Sequence, residues 1–395
     1  MNPFVAFVLQ YKFVFIFYLL IVLFLLFNHK KLEVQAKFIV LYRMKLGLKT
    51  MERIAGRFRE WVILYGYVGV GAGFVGLIAI SYLLIKNLYT FLRVPDTASA
   101  ASFVYPGMSV PGLGVLPFWT WLLALFLIAA IHEFSHGVVA RAHKIEVKNT
   151  GLVFFGPILG AFVEPDENSL RKQKDITQYS VLAAGSSSNI ILAVIALLCL
   201  NLVFFPLAQT MTEPTGFTFD AYTNTSYPFA SAGVAPGTII TALNTVPVRT
   251  FEEFSTELQY HQPGDTIVVA TAEKKKYEVT LMQHPDNSRK PFLGILGIRN
   301  EVEIKDQYQQ GFAHVLYRIV DWFQQFSRWL FVLSFGVGLF NLLPLPIVDG
   351  GRMAQVFLHK LKGAVVGEKR YRQISLFFLI LLLLNLVFPL VAKLF

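Results

Sequence analysis

Six apolar runs, residues 4–27, 62–85, 118–140, 181–204, 329–348 and 374–391, constrain this chain more than any other feature. A hydrocarbon core about 30 Å thick takes about 20 apolar residues to cross as a helix, and each run reaches or approaches that length. Backbone surrounded by lipid must satisfy its own hydrogen bonds, so such runs become helices. Composition agrees: 55% of the residues are hydrophobic and 15% charged, whereas a soluble domain carries about 25% charged. The expected fold is a polytopic α-helical membrane protein with about six transmembrane helices, one segment of which departs from this pattern.

The net charge of +10 would suit nucleic acid, but its placement points to a lipid bilayer. Lys30, Lys31, Lys37, Arg43, Lys45, Lys49, Arg53, Arg57 and Arg59 follow the first run, and Arg352, Lys360, Lys362, Lys369 and Arg370 follow the fifth. Basic residues beside apolar runs mark the cytoplasmic side. No stacking or base-reading motif accompanies them, so no nucleic-acid partner is expected. With both basic segments in the cytoplasm, residues 205–328 and both termini fall outside it, in a multi-pass protein of the cell membrane. Charges follow the first run, and no small-residue cleavage pattern closes it, so it reads as a helix and not as a signal peptide. The single cysteine, Cys199, rules out an internal disulfide.

Between the fourth and fifth runs, polarity returns to that of a water-exposed domain. Thr250 and Glu253 form a capping box ahead of Phe251, Phe254 and Leu258, which share one helical face. Pro263-Gly264-Asp265 then separates this helix from a hairpin, residues 266–271 and 277–282. The stretch from Ala232 to Ile240, with Asn244 beyond it, resembles the start of a PDZ domain, as does the order of helix, turn and hairpin. Four segments result: 1–61, an N-terminal helix and basic loop; 62–213, helices two to four; 214–305, an extracytoplasmic α+β PDZ-like domain; and 306–395, the C-terminal helices.

The third run contains His132-Glu133-Phe134-Ser135-His136. Residues four apart share a helix face, so both imidazoles can reach one metal ion with Glu133 at the edge of that face. Ionisable groups in a membrane helix cost about 2.5–3.5 kcal/mol each on insertion scales and mark function; the plainer alternative is a packed, hydrogen-bonded cluster. A catalytic zinc usually takes three protein ligands and a water. Asp349 ends the fifth run in Asn341-Leu342-Leu343-Pro344-Leu345-Pro346-Ile347-Val348-Asp349-Gly350, where two prolines preclude regular helix. The charge-derived topology puts Asp349 at the same face as the two histidines. A turn at the membrane boundary is the alternative for this Asp.

These parts, in this order, resemble the site-2 protease family of intramembrane zinc metalloproteases. The resemblance rests on His132 to Gly137, Gly185-Ser186-Ser187-Ser188-Asn189, a PDZ-like domain and Asn341 to Gly350, with Gly160-Ala161-Phe162-Val163-Glu164-Pro165-Asp166 as a further likeness. Small residues replace the proline often found after the glycine of the Gly-x-x-x-Asn segment. The resemblance implies Zn2+ held by His132, His136 and Asp349, Glu133 as general base, and transmembrane protein substrates cut near the cytoplasmic face. Asn189 and Asn341 are candidates for holding the substrate backbone or the oxyanion; helix capping is the alternative for both. Residues 151–163 are expected to form strands whose edge could pair with an unwound substrate. The other histidines, His29, His143, His261, His284, His314 and His359, are expected to be solvated. Competing functions are a zinc transporter, which should carry a His-rich loop that this chain lacks, and a catalytically silent membrane scaffold displaying the PDZ-like domain. The sequence leaves the oligomeric state open.

Overall fold

The computed structural model describes residues 11–35, 39–93, 104–110, 113–156, 158–284 and 287–392. The chain forms two compact units: Met1–Tyr105, Phe118–Ala196 and Leu330–Phe395 make the first, Pro106–Pro117 and Leu197–Trp329 the second.

The first unit begins with helix α1 (Lys12–Phe27), strands β1 (Leu32–Gln35) and β2 (Ile39–Met44), and helices α2 (Leu48–Arg57) and α3 (Arg59–Arg93). It continues with α4 (Phe118–Ala142), β3 (Val147–Phe155), β4 (Ile158–Pro165), α5 (Glu167–Arg171) and α6 (Asp175–Cys199). The four strands form one antiparallel sheet in the order β1-β2-β3-β4, which leaves β4 on an edge. Residues 151–155 and 158–163 are stranded, as expected, and β4 lies along α4. Arg43 of β2 reaches over β3 to Glu164 at 3.2 Å and also pairs with Glu33 of β1. The sheet is thus cross-tied by charge as well as by its ladder.

The second unit holds β5 (Thr212–Thr218), β6 (Ile240–Leu243), α7 (Phe251–Leu258), β7 (Thr266–Thr271), β8 (Lys276–Thr280) and β9 (Arg299–Ile304), ordered β8-β7-β6-β5-β9 in the main sheet. Strand alternation buries Ile267, Val269 and Thr271. Phe217, Phe219, Phe229, Ile240, Phe254 and Val279 complete the core with them. The Thr250 hydroxyl accepts the Glu253 amide at 3.2 Å, and the Glu253 carboxylate accepts the Arg249 amide at 2.7 Å. The capping box is formed, with its return bond one residue further out than the usual pattern.

The chain closes with α8 (Gly311–Phe340), α9 (Asp349–Lys362) and α10 (Ala364–Ala392). Against the six spans expected, four stretches of the described residues are long and apolar enough to cross a membrane: α3, α4, the continuous Asp175–Met211 that begins with α6, and Ala364–Val387 of α10. These make the chain an integral membrane protein. Residues 4–10 of the first expected span lie outside the described residues, and the described helix α1 has 16 residues. The fifth expected span, 329–348, is cut short. Helix α8 ends at Phe340, because Pro344 and Pro346 lack the amide protons that another turn would need. Asp349 accordingly does not end a spanning helix; it opens α9, in the first turn.

Candidate active site

Three elements converge on one point. Helix α4 carries His132 and His136 on one face, and their Nε2 atoms lie 3.1 Å apart. The loop 341–348 folds back to deliver Asp349, whose Oδ2 lies 3.1 Å from His132 Nε2 and 3.3 Å from His136 Nε2. This return is possible because Gly350 and Gly351 follow. A Cβ on Gly350 would strike the Leu342 backbone, and one on Gly351 the Leu345 carbonyl. The Gly350 amide instead donates to the Asn341 carbonyl at 2.8 Å and closes the loop.

Helix α6 forms the wall behind the histidines. A Cβ on Gly185 would fall on the Nε2 atoms of both His132 and His136, so glycine keeps this space open. His136 Nδ1 lies 2.7 Å from the Val181 carbonyl, to which it donates. That fixes the tautomer with Nε2 free to coordinate. The Asn189 amide is fully buried and sits 3.0 Å from His132 Nδ1. The atom placed there is Nδ2; turning the amide over brings Oδ1, otherwise buried without a partner, to the ring, where it accepts the Nδ1 proton. His132 Nε2 is then also free.

This donor set fits a zinc ion. Ligand atoms 2.0–2.1 Å from a tetrahedral centre stand roughly 3.3 Å apart, and the three donor atoms here are separated by 3.1 to 3.3 Å. Asp349 Oδ2 is buried and makes no hydrogen bond. An ionised oxygen in that position requires a cation. Among the described residues, His132, His136 and Asp349 form the one group of His, Cys, Asp or Glu gathered closely enough to hold a metal.

Glu133 is tied to the sheet beside the donor cluster: its Oε2 accepts the Val163 amide at 2.9 Å. A cavity of about 330 Å³ joins Glu133, His132, Asn189, Asn341 and Asp349 to an apolar wall of Leu125, Ile128, Ala129 and Ile347 and to Leu159 and Gly160 of β4. At the end of β4 the electrostatics are those of a solvated turn. Lys148 approaches Asp166 at 2.5 Å, and Ser169 donates its amide and hydroxyl to the same carboxylate, holding it down at about 2. Partial burial pushes the Glu164 carboxyl up, but hydrogen bonds from Asn149 and Arg43 outweigh it and leave it below the usual range.

The model of peptidase family M50 matches residues 120–386, two thirds of the chain. The chain belongs to peptidase family M50, the site-2 protease family. Among similar proteins, an uncharacterized protein of Methanocaldococcus jannaschii is 25% identical over 340 residues, covering 84% of this chain and 80% of that one. A Nostoc protein described as a candidate zinc metalloprotease is 22% identical over 61% of this chain and 86% of its own length. Protease RseP of Photorhabdus luminescens is 39% identical over 44 residues, 11% of this chain and 20% of that protein. The PDZ domain of an SdrC-like protein from Listeria monocytogenes aligns with 25% of this chain and 95% of its own, at 16% identity and a TM-score of 0.18, a likeness that carries no weight for the fold.

As an M50 peptidase the chain is a zinc metalloprotease, and its donor cluster fits that metal. The Val181 carbonyl, the open space at Gly185 and the Val163 amide are not legible in the sequence. All three are backbone contributions, which side-chain identity does not reveal; the glycine alone left a trace, in the Gly-x-x-x-Asn pattern. Of the histidines expected to be solvated, His143 is half-buried and hydrogen-bonded to Ser180 at 3.2 Å, and His359 pairs with Glu368 at 3.2 Å.

Proposed function

We propose that this M50 peptidase hydrolyses peptide bonds of transmembrane substrate proteins, near the cytoplasmic face of the bilayer. The observation that carries the reading is the placement of two metal donors within α4, a helix long and apolar enough to span a membrane. Groups that costly in lipid are retained for chemistry there.

His132, His136 and Asp349 would hold the zinc, which when bound supplies Lewis acidity and a water of pKa about 7. Glu133 is the general base: its carboxylate takes the attacking water's proton and returns it to the leaving amine. The Val163 amide fixes one carboxylate oxygen and leaves the other to work. Asn189 orients His132. Asn341 lines the cavity and is the better placed of the two to contact the scissile carbonyl or the neighbouring substrate backbone.

A transmembrane substrate must unwind to offer a peptide bond, and it then exposes amides that lipid cannot satisfy. Strand β4 supplies partners. The Val163 amide points to Glu133, so strand alternation turns the backbone groups of Ala161 and Leu159 to the same open edge. An extended substrate adding to this edge would lie beside Glu133. The second unit, 214–305 in its PDZ-like part, faces the side opposite the cytoplasm in this topology, with both termini on that side too.

The test is cleavage of a transmembrane model peptide in lipid nanodiscs, followed by mass spectrometry of the products. Cleavage inside the apolar segment, abolished by a zinc chelator and restored by zinc, supports the proposal. Cleavage confined to soluble flanking sequence overturns it.

A further inference from the structure

Helix α3 precedes the segment matched to the M50 family, yet one of its side chains reaches the support of the metal centre. The Tyr65 hydroxyl donates to the Ala184 carbonyl at 2.7 Å. It also lies 3.0 Å from Ser135 Oγ, which is itself 3.1 Å from the same carbonyl. Three helices, α3, α4 and α6, thus meet at one oxygen.

Both partners of Tyr65 adjoin the metal centre. Ser135 immediately precedes His136 within the His-x-x-x-His turn. Ala184 immediately precedes Gly185, whose Cα faces both imidazoles. Helix α6 serves the centre three times at four-residue spacing: the Val181 carbonyl orients His136, Gly185 leaves the space for the ion, and Asn189 orients His132. These positions lie on one face, so any slip or rotation of α6 against α4 moves all three together. The Ala184 carbonyl is where that register is pinned, because it takes hydroxyls from the two neighbouring helices. Ser135 by itself gives a short tether. The Tyr65 ring packs against the buried cluster that includes Val138, Val139, Val181 and Ala184 and brings a fixed donor from outside the α4–α6 pair.

We propose that Tyr65 is a positioning residue for the metal centre, setting the register of α6 against α4 through the Ala184 carbonyl. The proposal rests on the reading of His132, His136 and Asp349 as the zinc ligands. It makes α3 part of the active site's construction and not merely an anchor in the bilayer.

The experiment uses the full chain in detergent with cobalt(II) as the probe, reading its dissociation constant by chelator competition and its d–d absorption. Five proteins are compared: wild type, Tyr65→Phe, Ser135→Ala, the double variant, and Tyr82→Phe, which removes an exposed hydroxyl of the same helix. Loss of an outer partner of a metal ligand weakens binding about 10- to 100-fold. Tyr65→Phe is expected near the lower end, about tenfold, with a shifted d–d band. Ser135→Ala should behave alike, the double variant should fall short of the product of the two, because they share one acceptor, and Tyr82→Phe should match wild type. Wild-type affinity and spectrum in Tyr65→Phe would overturn the proposal while leaving the zinc site standing. A folded wild type that binds no cobalt would overturn the zinc site, and this proposal with it. Should Tyr65→Phe fail to fold, Ser135→Ala decides: an unchanged spectrum and affinity there overturns the shared lock.

Discussion

Glu133 accepts the backbone amide of Val163 at 2.9 Å, which ties the proposed general base directly to the edge strand of the sheet. The carboxylate is held where an added strand would run, so the proton-transfer group and the substrate track are fixed to each other by one bond. Were β4 to shift, Glu133 would shift with it.

The exposed edge of β4 should be needed for cleavage but not for metal binding. Ala161→Pro removes an outward amide and leaves the β3 ladder intact, because alternate residues face the two sides. A fall in cleavage of a transmembrane peptide of about tenfold or more is expected, at unchanged zinc content by elemental analysis. Cleavage at the wild-type rate would show that substrate does not pair with this edge.

Gly185→Ala should abolish metal binding without unfolding the helices. The added methyl would fall on both Nε2 atoms, and α6 cannot retreat without breaking the His136–Val181 and His132–Asn189 contacts. Zinc stoichiometry near zero, with helical circular dichroism preserved, is the expected outcome.

The two asparagines should separate. Asn189→Ala removes the partner of His132 and should weaken zinc about 10- to 100-fold. Asn341→Ala should leave zinc affinity unchanged and lower the rate of cleavage, since its side chain lines the cavity and holds no ligand. Chelator competition and steady-state kinetics on both variants tell the roles apart. Equal metal loss in both would contradict the assignment.

Below pH 4 the turn after β4 should loosen. Asp166 is held at about 2 in the folded chain, below the roughly 3.9 of an unfolded Asp. A depressed carboxyl contributes stability that is complete above the unfolded value and is lost as pH falls through the folded one. Hydrogen exchange of the Ser169 amide should therefore speed up between pH 4 and 2, beyond the intrinsic trend, and Asp166→Asn should remove that dependence. The Lys148 partner is exposed to solvent although Asp166 is partly buried, so added salt should shrink the effect in part.

Much of this was legible from residue types and spacing. Apolar runs announced α3, α4, α6 and α10, and the prolines at 344 and 346 announced irregular backbone before Asp349. The His-x-x-x-His spacing marked the two histidines and the family resemblance implied Asp349 as their companion; the structure brings the three donor atoms within 4.8 Å of one another. The end of α8 at Phe340 is not legible from hydropathy, because apolar Leu342, Leu343 and Leu345 continue the hydrophobic run although they pack in a loop. Periodicity carries no sign of backbone partners, so the Val163 amide and the Val181 and Ala184 carbonyls were invisible. Tyr65 was equally silent: one tyrosine in a membrane helix is unremarkable until the helices are packed.

The most direct test of the central claim compares wild type with Glu133→Gln for bound zinc and for cleavage of a transmembrane peptide. Glu133 is no metal ligand in this arrangement, and glutamine can still accept the Val163 amide but cannot take a proton from water. The expected result is one zinc in each protein and cleavage in wild type alone. Cleavage by Glu133→Gln at the wild-type rate, or a wild type that binds no zinc, would contradict the account.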